Sequence, residues 1–244
     1  MPDKQVAARR LTRRTWLAAA LILVVIPATV LFGVFILQDR KYYFISLLII
    51  LYTMLPFAMV FEQRKPQARE IIVIAVLAAI AVAGRAAFFM LPQFKPVVAI
   101  VIISGVSLGA EAGFLVGALA GFVSNFFFGQ GPWTPWQMFC FGIIGFLAGI
   151  LFQKGLLPKK KLPFCLFGGL STFFIYGGII NIGSLMMFTP SFSWKALLAT
   201  YASGFWFDLV HAIATVFFLF ILARPMLEKL DRIKRKYGLI EPDK

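Results

Sequence analysis

Residues 70–91 read EIIVIAVLAAIAVAGRAAFFML, an uninterrupted apolar run broken only by Arg85. Its length suits one membrane-crossing helix, which needs about 20 apolar residues. At about 100° per residue, Ala75, Ala79, Ala83 and Ala87 fall on one stripe, and Arg85 points nearly the opposite way with Phe88 and Phe89 nearest it. A stripe of methyl-sized side chains lets a second helix approach closely. A cation inside a bilayer costs about 2.5–3.5 kcal/mol on insertion scales, so it needs a polar interior or a bound partner. One face therefore reads as a docking surface and the other as a ligand surface. The alternative is that the alanines only pack inside a bundle and Arg85 belongs to a structural ion pair.

Working outward, the chain has 244 residues, of which 61% are hydrophobic and 14% charged. Soluble domains carry about 25% charged residues, so the composition excludes an ordinary soluble protein and indicates an integral membrane protein. The net charge of +14 is segregated at segment ends, which is the pattern of membrane orientation rather than of a nucleic-acid patch. Cys140 and Cys165 fall toward opposite membrane faces, so no disulfide is expected between them. With His211 the only histidine, no Cys/His metal site is expected.

Apolar stretches predict about eight spans in an all-α fold. Trp16–Leu37 and Phe44–Phe61 are the first two, after a basic start, with no short apolar region and small-residue exit of the kind a cleaved signal needs. The 70–91 helix follows. Val97–Val106 is too short to cross a bilayer straight, and it either merges with the next helix or enters partway. Gly109–Phe128, Met138–Phe152, Phe164–Phe188 and Ala196–Ala223 complete the set, and Gly105, Gly109, Gly113, Gly117 and Gly121 recur every four residues as a seam for close helix contact. From Arg224, Met226, Leu230, Ile233 and Tyr237 lie at helical spacing between cations, the pattern of an amphipathic helix lying at the membrane interface. With eight spans, 19 of the 24 Lys and Arg residues fall on one side and four on the other. The bias places both termini in the cytoplasm of a multi-pass plasma-membrane protein.

The polar and aromatic residues collect at the outer ends of these spans. Arg85 lies about 9 Å inside the outer turn at 1.5 Å per residue, and Lys95 sits in that turn. Asn125, Gln130, Trp133, Trp136 and Gln137 border the next outer loop, and Tyr176 and Asn181 the one after. In the last span Tyr201, Gly204, Asp208, His211 and Thr215 share one face. Intramembrane ionisable groups mark function by default, whereas tryptophans at headgroup depth also serve as interfacial belts. An Arg85–Asp208 pair requires offset or tilted helices. Catalysis has little support: no elbow motif surrounds a serine, His211 lacks companion ligands, and no phosphate-cradling G-x-x-x-x-G-K-[S/T] occurs. Uphill transport would need energy from another chain.

Three patterns carry a family resemblance: the alanine stripe; GRAAFFMLPQFKP (84–96) with IISGVSLGAEAGFLVGALAGFVSNFFFGQGPWTPWQM (102–138); and FDLVHAIATVFF (207–218). The sequence resembles the substrate-binding S components of energy-coupling-factor (ECF) vitamin transporters, most of all the cobalamin type. The resemblance implies a six-helix core over residues 70–225, preceded by two additional spans in residues 1–69 and followed by a basic tail, 226–244. It implies vitamin capture from outside and docking of Ala75, Ala79 and Ala83 on a transmembrane coupling subunit that carries two ATPase subunits. The subunit would then topple in the membrane to release its load, with no cofactor of its own. Arg85, Phe88, Lys95, Asn125, Gln130, Trp133, Trp136, Gln137, Tyr176, Asn181, Tyr201, Asp208 and His211 are the candidate ligand-contacting residues. Other flat heterocycles, a queuosine precursor or a cobalamin fragment compete with cobalamin as cargo. An intramembrane enzyme using Asp208 and His211, or a scaffold or channel subunit, are the readings from other classes.

Overall fold

The computed structural model describes residues 68–189 and 193–238, with isolated residues 24, 25, 28 and 52. The expected spans Trp16–Leu37 and Phe44–Phe61 lie outside the described residues. The rest folds into six helices: α1 (Ala68–Ala87), α2 (Val97–Leu108), α3 (Ala110–Phe128), α4 (Thr134–Gln153), α5 (Lys161–Phe188) and α6 (Trp194–Tyr237). All but α2 are long and apolar enough to cross a membrane.

α2 is a separate helix of 12 residues, and every one of them is buried. A mostly apolar helix that short cannot span, at about 18 Å, but it can fill the centre of a bundle. Gly109 ends it. Its φ of +113° lies where L side chains clash and glycine does not, so the chain turns there into α3. The hairpin is tight: a methyl added to Gly113 would sit 2.6 Å from the Gly105 Cα and 2.5 Å from the Gly145 carbonyl oxygen. Gly117 meets the Phe141–Gly142 backbone and Gly149 meets Ala110 in the same way. The four-residue glycine seam is thus the contact of α2, through Gly105, and of α3, through Gly113, Gly117 and Gly121, with α4, except at Gly109, whose role is the turn.

Three boundaries differ from expectation. α1 ends at Ala87, and Phe88–Leu91 pass into the turn. α4 begins at Thr134, so Trp136 and Gln137 stand in its first turn and not in a loop. Pro135 explains this, because a proline in the first helical turn forfeits no intrahelical hydrogen bond. α6 continues without a break through Pro225 to Tyr237, closed by Gly238 in the left-handed region. Its tail packs on the protein: Leu230 is buried, Met226 and Leu227 lie against the core, and the Lys234 ammonium donates to the Ser107 carbonyl at 2.7 Å. That lysine occupies the C-terminus of α2, where unpaired carbonyls and the helix dipole favour a cation.

Candidate functional site: a buried guanidinium and an aromatic wall

The helix ends that carry Arg85, Asn125 and Gln137 converge. Arg85 is 8% exposed. Its guanidinium donates to Ser124 Oγ, to Asn125 Oδ1 at 3.0 Å and to Gln137 Oε1 at 3.4 Å. It also lies over the Phe128 ring, 4.6 Å from the centroid, and 5.9 Å from that of Phe141. The network runs on: Asn125 Nδ2 donates to Thr134 Oγ1 and to Gln137 Oε1, both at 2.9 Å, and Thr134 donates to Gln130 Oε1. A charge in this position is held by neutral dipoles and ring faces, and no carboxylate bonds it. Among the described residues its positive charge therefore remains uncompensated.

Beside this network is a wall of rings. Phe141 stacks on Tyr176 at 5.0 Å, and His211 stands edge-on to Tyr176 at 4.6 Å and to Phe141 at 6.4 Å. Trp136, 2% exposed, covers Gly183, where an added methyl would approach its ring to 2.9 Å. Trp136 Nε1 and His211 Nδ1 are buried without a hydrogen-bond partner. Such orphans are rare and cost about 1–3 kcal/mol each, so they are candidates for contacts that a ligand completes.

A second polar pair forms between α5 and α6. Asn181 Nδ2 donates to Asp208 Oδ2 at 2.7 Å, and Tyr201 donates to the Gly178 carbonyl at 2.8 Å. Gly177 and Gly204 make room for it: methyl groups there would lie 2.6 Å from the Asp208 carboxyl carbon and 2.4 Å from Asn181 Oδ1. The helix widens into a π turn over Ser171–Gly177, a feature frequent at functional sites, and this brings Tyr176 and Gly177 to face α6.

The Arg85–Asp208 ion pair, which required offset or tilted helices, does not form. Arg85 bonds to α3 and α4, and Asp208 to Asn181. Phe88 packs against Phe94 and Phe218, which makes it part of the aromatic packing below the turn. Lys95 donates to the Leu91 carbonyl at 2.9 Å and lies 5.4 Å from the Phe128 centroid; burial and the neighbouring Arg85 charge hold its pKa below the ordinary lysine value. Gln130 ties back to the Phe122 carbonyl and Trp133 Nε1 to the Gly129 carbonyl, so both brace the loop. Ser124, Thr134, Phe128 and Phe141 were not among the expected site residues. Ser124 and Thr134 are next to expected ones, but nothing distinguishes the two phenylalanines from the 26 others in the chain.

The alanines expected to dock a partner lie elsewhere on α1. Ala75, Ala79 and Ala83 are exposed, whereas Leu77, Ala78, Ala81, Val82 and Arg85 are buried. Among the described residues no three His, Cys, Asp or Glu side chains converge on a metal-binding arrangement, and both cysteines are free thiols.

Comparison with known proteins adds the family. The chain is 31% identical over 124 residues to a UPF0397 protein of Vibrio atlanticus, covering 48% of this chain and 68% of that one. Similar proteins of Aliivibrio salmonicida (30% over 129 residues, 51% and 68% covered) and Aliivibrio fischeri (29% over 136 residues, 50% and 74% covered) match as well. No solved structure matches. The family model of the ECF-type riboflavin transporter S component matches residues 65–224; its description names riboflavin, not the cobalamin that the sequence patterns suggested. That span takes in α1 to α5 and the membrane-crossing part of α6, with Arg85, the aromatic wall and the exposed alanines, and the chain belongs to the family of ECF-type riboflavin transporter S components.

Proposed function

We propose that this protein captures a flat, nitrogen-rich heterocyclic vitamin, with riboflavin the first candidate, at the Arg85 end of the bundle. One observation carries the reading: a buried guanidinium with no carboxylate partner among the described residues stands beside a wall of four rings, two of which hold unpaired ring nitrogens. Pockets for such ligands combine apolar walls with a few placed polar groups. A planar ring system would lie on Phe141, Tyr176 and Trp136, and its carbonyl oxygens would accept from Arg85 and Trp136. Cobalamin fits less well. The amides expected to line a wide loop for a corrinoid, Asn125, Gln130 and Gln137, are bonded into the Arg85 network or the loop.

The charge bias puts this end outside the cell, with the Lys159–Lys161 turn, the α6 tail and both termini in the cytoplasm. The exposed alanine stripe then faces a transmembrane coupling subunit that carries two ATPase subunits, and ATP hydrolysis there drives release of the vitamin inward. Residues 70–225 form the working core. Two apolar stretches precede it in the sequence, and any reorientation of the core in the membrane must accommodate them.

The test is to purify the subunit, identify any retained small molecule by mass spectrometry, and titrate the emptied protein with riboflavin by fluorescence quenching. Saturable binding without turnover is expected, with cobalamin as the comparison. Tight cobalamin binding with none of riboflavin would replace the proposed cargo. Formation of a chemical product that is lost in His211→Ala would replace the class.

A further inference from the structure

A cavity of about 710 Å³ opens between Arg69–Ile80 of α1 and the tail of α6, with a lining that does not include Arg85. Ile72, Val76 and Ile80 form one wall, Met226, Leu230 and Ile233 the other, and Arg69, Lys229 and Tyr237 bring polarity to an otherwise apolar lining. Ile72, Val76 and Ile80 are exposed, at 59%, 50% and 43%. They face about 60° away from the alanine stripe at 100° per residue, so the groove flanks the docking surface without being the same surface. Arg69 marks the lysine-rich end, where its guanidinium lies 5.8 Å from the Tyr237 centroid.

We infer that this groove holds one chain of an anionic phospholipid, with the headgroup phosphate between Arg69 and Lys229. Three observations favour that occupant over a protein segment. The apolar wall belongs to a membrane-crossing helix, so its surroundings are hydrocarbon. From Arg69 to Ile80 the wall is about 16 Å long at 1.5 Å per residue, which is the depth of one leaflet of a core about 30 Å thick. The two lining cations are met by no carboxylate in the lining, and basic pockets between helix ends at the cytoplasmic face suit lipid phosphates. A neutral transmembrane helix would satisfy the apolar walls but would leave the charge unanswered.

The test uses the full chain in nanodiscs of phosphatidylcholine with a minor share of phosphatidylglycerol, followed by native mass spectrometry of the released protein. Retained phosphatidylglycerol well above its share of the disc is expected. Lys229→Gln should lower that enrichment about five-fold, and Arg69→Gln with Lys229→Gln about thirty-fold, corresponding to about 1 kcal/mol per cation. Vitamin binding at the Arg85 site serves as the check that each variant is folded. A photoreactive side chain replacing Val76 should form a lipid adduct. No enrichment in the unaltered protein, enrichment that survives both substitutions, or an adduct at position 76 with residues 44–61 or with a second copy would overturn the assignment.

Discussion

Replacing Arg85 with methionine separates a ligand-binding guanidinium from a structural one. In the folded protein Arg85 makes three hydrogen bonds to neutral partners. At about 1.5 kcal/mol each, the lower end for a charged donor, they stabilise the bundle by about 4–5 kcal/mol. Against this stands the cost of an intramembrane cation, about 2.5–3.5 kcal/mol. The difference leaves a net loss of about 1–2 kcal/mol for Arg85→Met. Asn125 Nδ2 keeps its bond to Thr134, Gln137 Oε1 keeps that from Asn125, and Ser124 keeps one to the Gly121 carbonyl. Asn125 Oδ1 loses its donor, and that buried acceptor adds about 1–3 kcal/mol, bringing the loss to about 2–5 kcal/mol. For a protein of this size the Tm should fall by less than about 20 °C. The ligand, by contrast, loses a charge-assisted contact of about 1.5–3 kcal/mol, which is a ten- to hundred-fold weaker Kd. Riboflavin quenching titrations and thermal unfolding in the same detergent give both numbers. Arg85→Lys should fall between, since a point charge cannot reproduce the forked donors. Unchanged affinity with a Tm drop of 20 °C or more would show that Arg85 is a structural member and refute the site.

Leucine at Ala79 and Ala83 should abolish uptake in cells while leaving riboflavin affinity of the purified subunit unaltered, because both positions are exposed and distant in sequence from the aromatic wall; equal loss of both would make the stripe ordinary core. Trp136→Phe removes a buried donor without a partner, so stability in the absence of ligand should hold within about 1 kcal/mol while affinity falls several-fold, measured by the same titration. Gly113→Ala pushes a methyl against the Gly145 carbonyl at 2.5 Å and should cost about 1–3 kcal/mol by overpacking. Gly178→Ala, with open space around it, should be neutral or stabilising by up to about 1 kcal/mol, and thermal unfolding distinguishes the pair.

Much of the fold could be read from hydropathy alone, because a bilayer forces the backbone into helices and charges to their ends. The glycine seam was legible for a similar reason, since only contact between backbones uses small residues at four-residue spacing. What it concealed was Gly109: a glycine in register with a seam looks the same whether it packs or turns, and only φ tells them apart. The start of α4 was missed because two tryptophans between prolines suggest a loop, yet Pro135 sits where a helix tolerates it. At the site, Arg85, Asn125 and Gln137 stood out as polar residues in apolar surroundings. Phe141 and Phe128 did not, because a ring that faces a cation and a ring that fills space have the same letter.

The arrangement of burial gives the site its mechanical meaning. The membrane-crossing window of α4 is 78% buried and that of α3 61%, whereas α1 stands at 28% and α5 and α6 at 33% each. α2, α3 and α4 thus form a glycine-packed centre, with α1 on its periphery and α5 and α6 more loosely held. The candidate site draws Arg85 from α1, Asn125 from α3, Gln137 and Phe141 from α4, Tyr176 from α5 and His211 from α6. A ligand touching these groups would join each peripheral helix to the centre at one end of the bundle. The alanine stripe is on the most exposed of the membrane-crossing helices, and it shares a rigid rod with Arg85. Any force that a partner applies to Ala75–Ala83 is therefore felt at the guanidinium, about half a turn to three turns away, with no loop between them to absorb it.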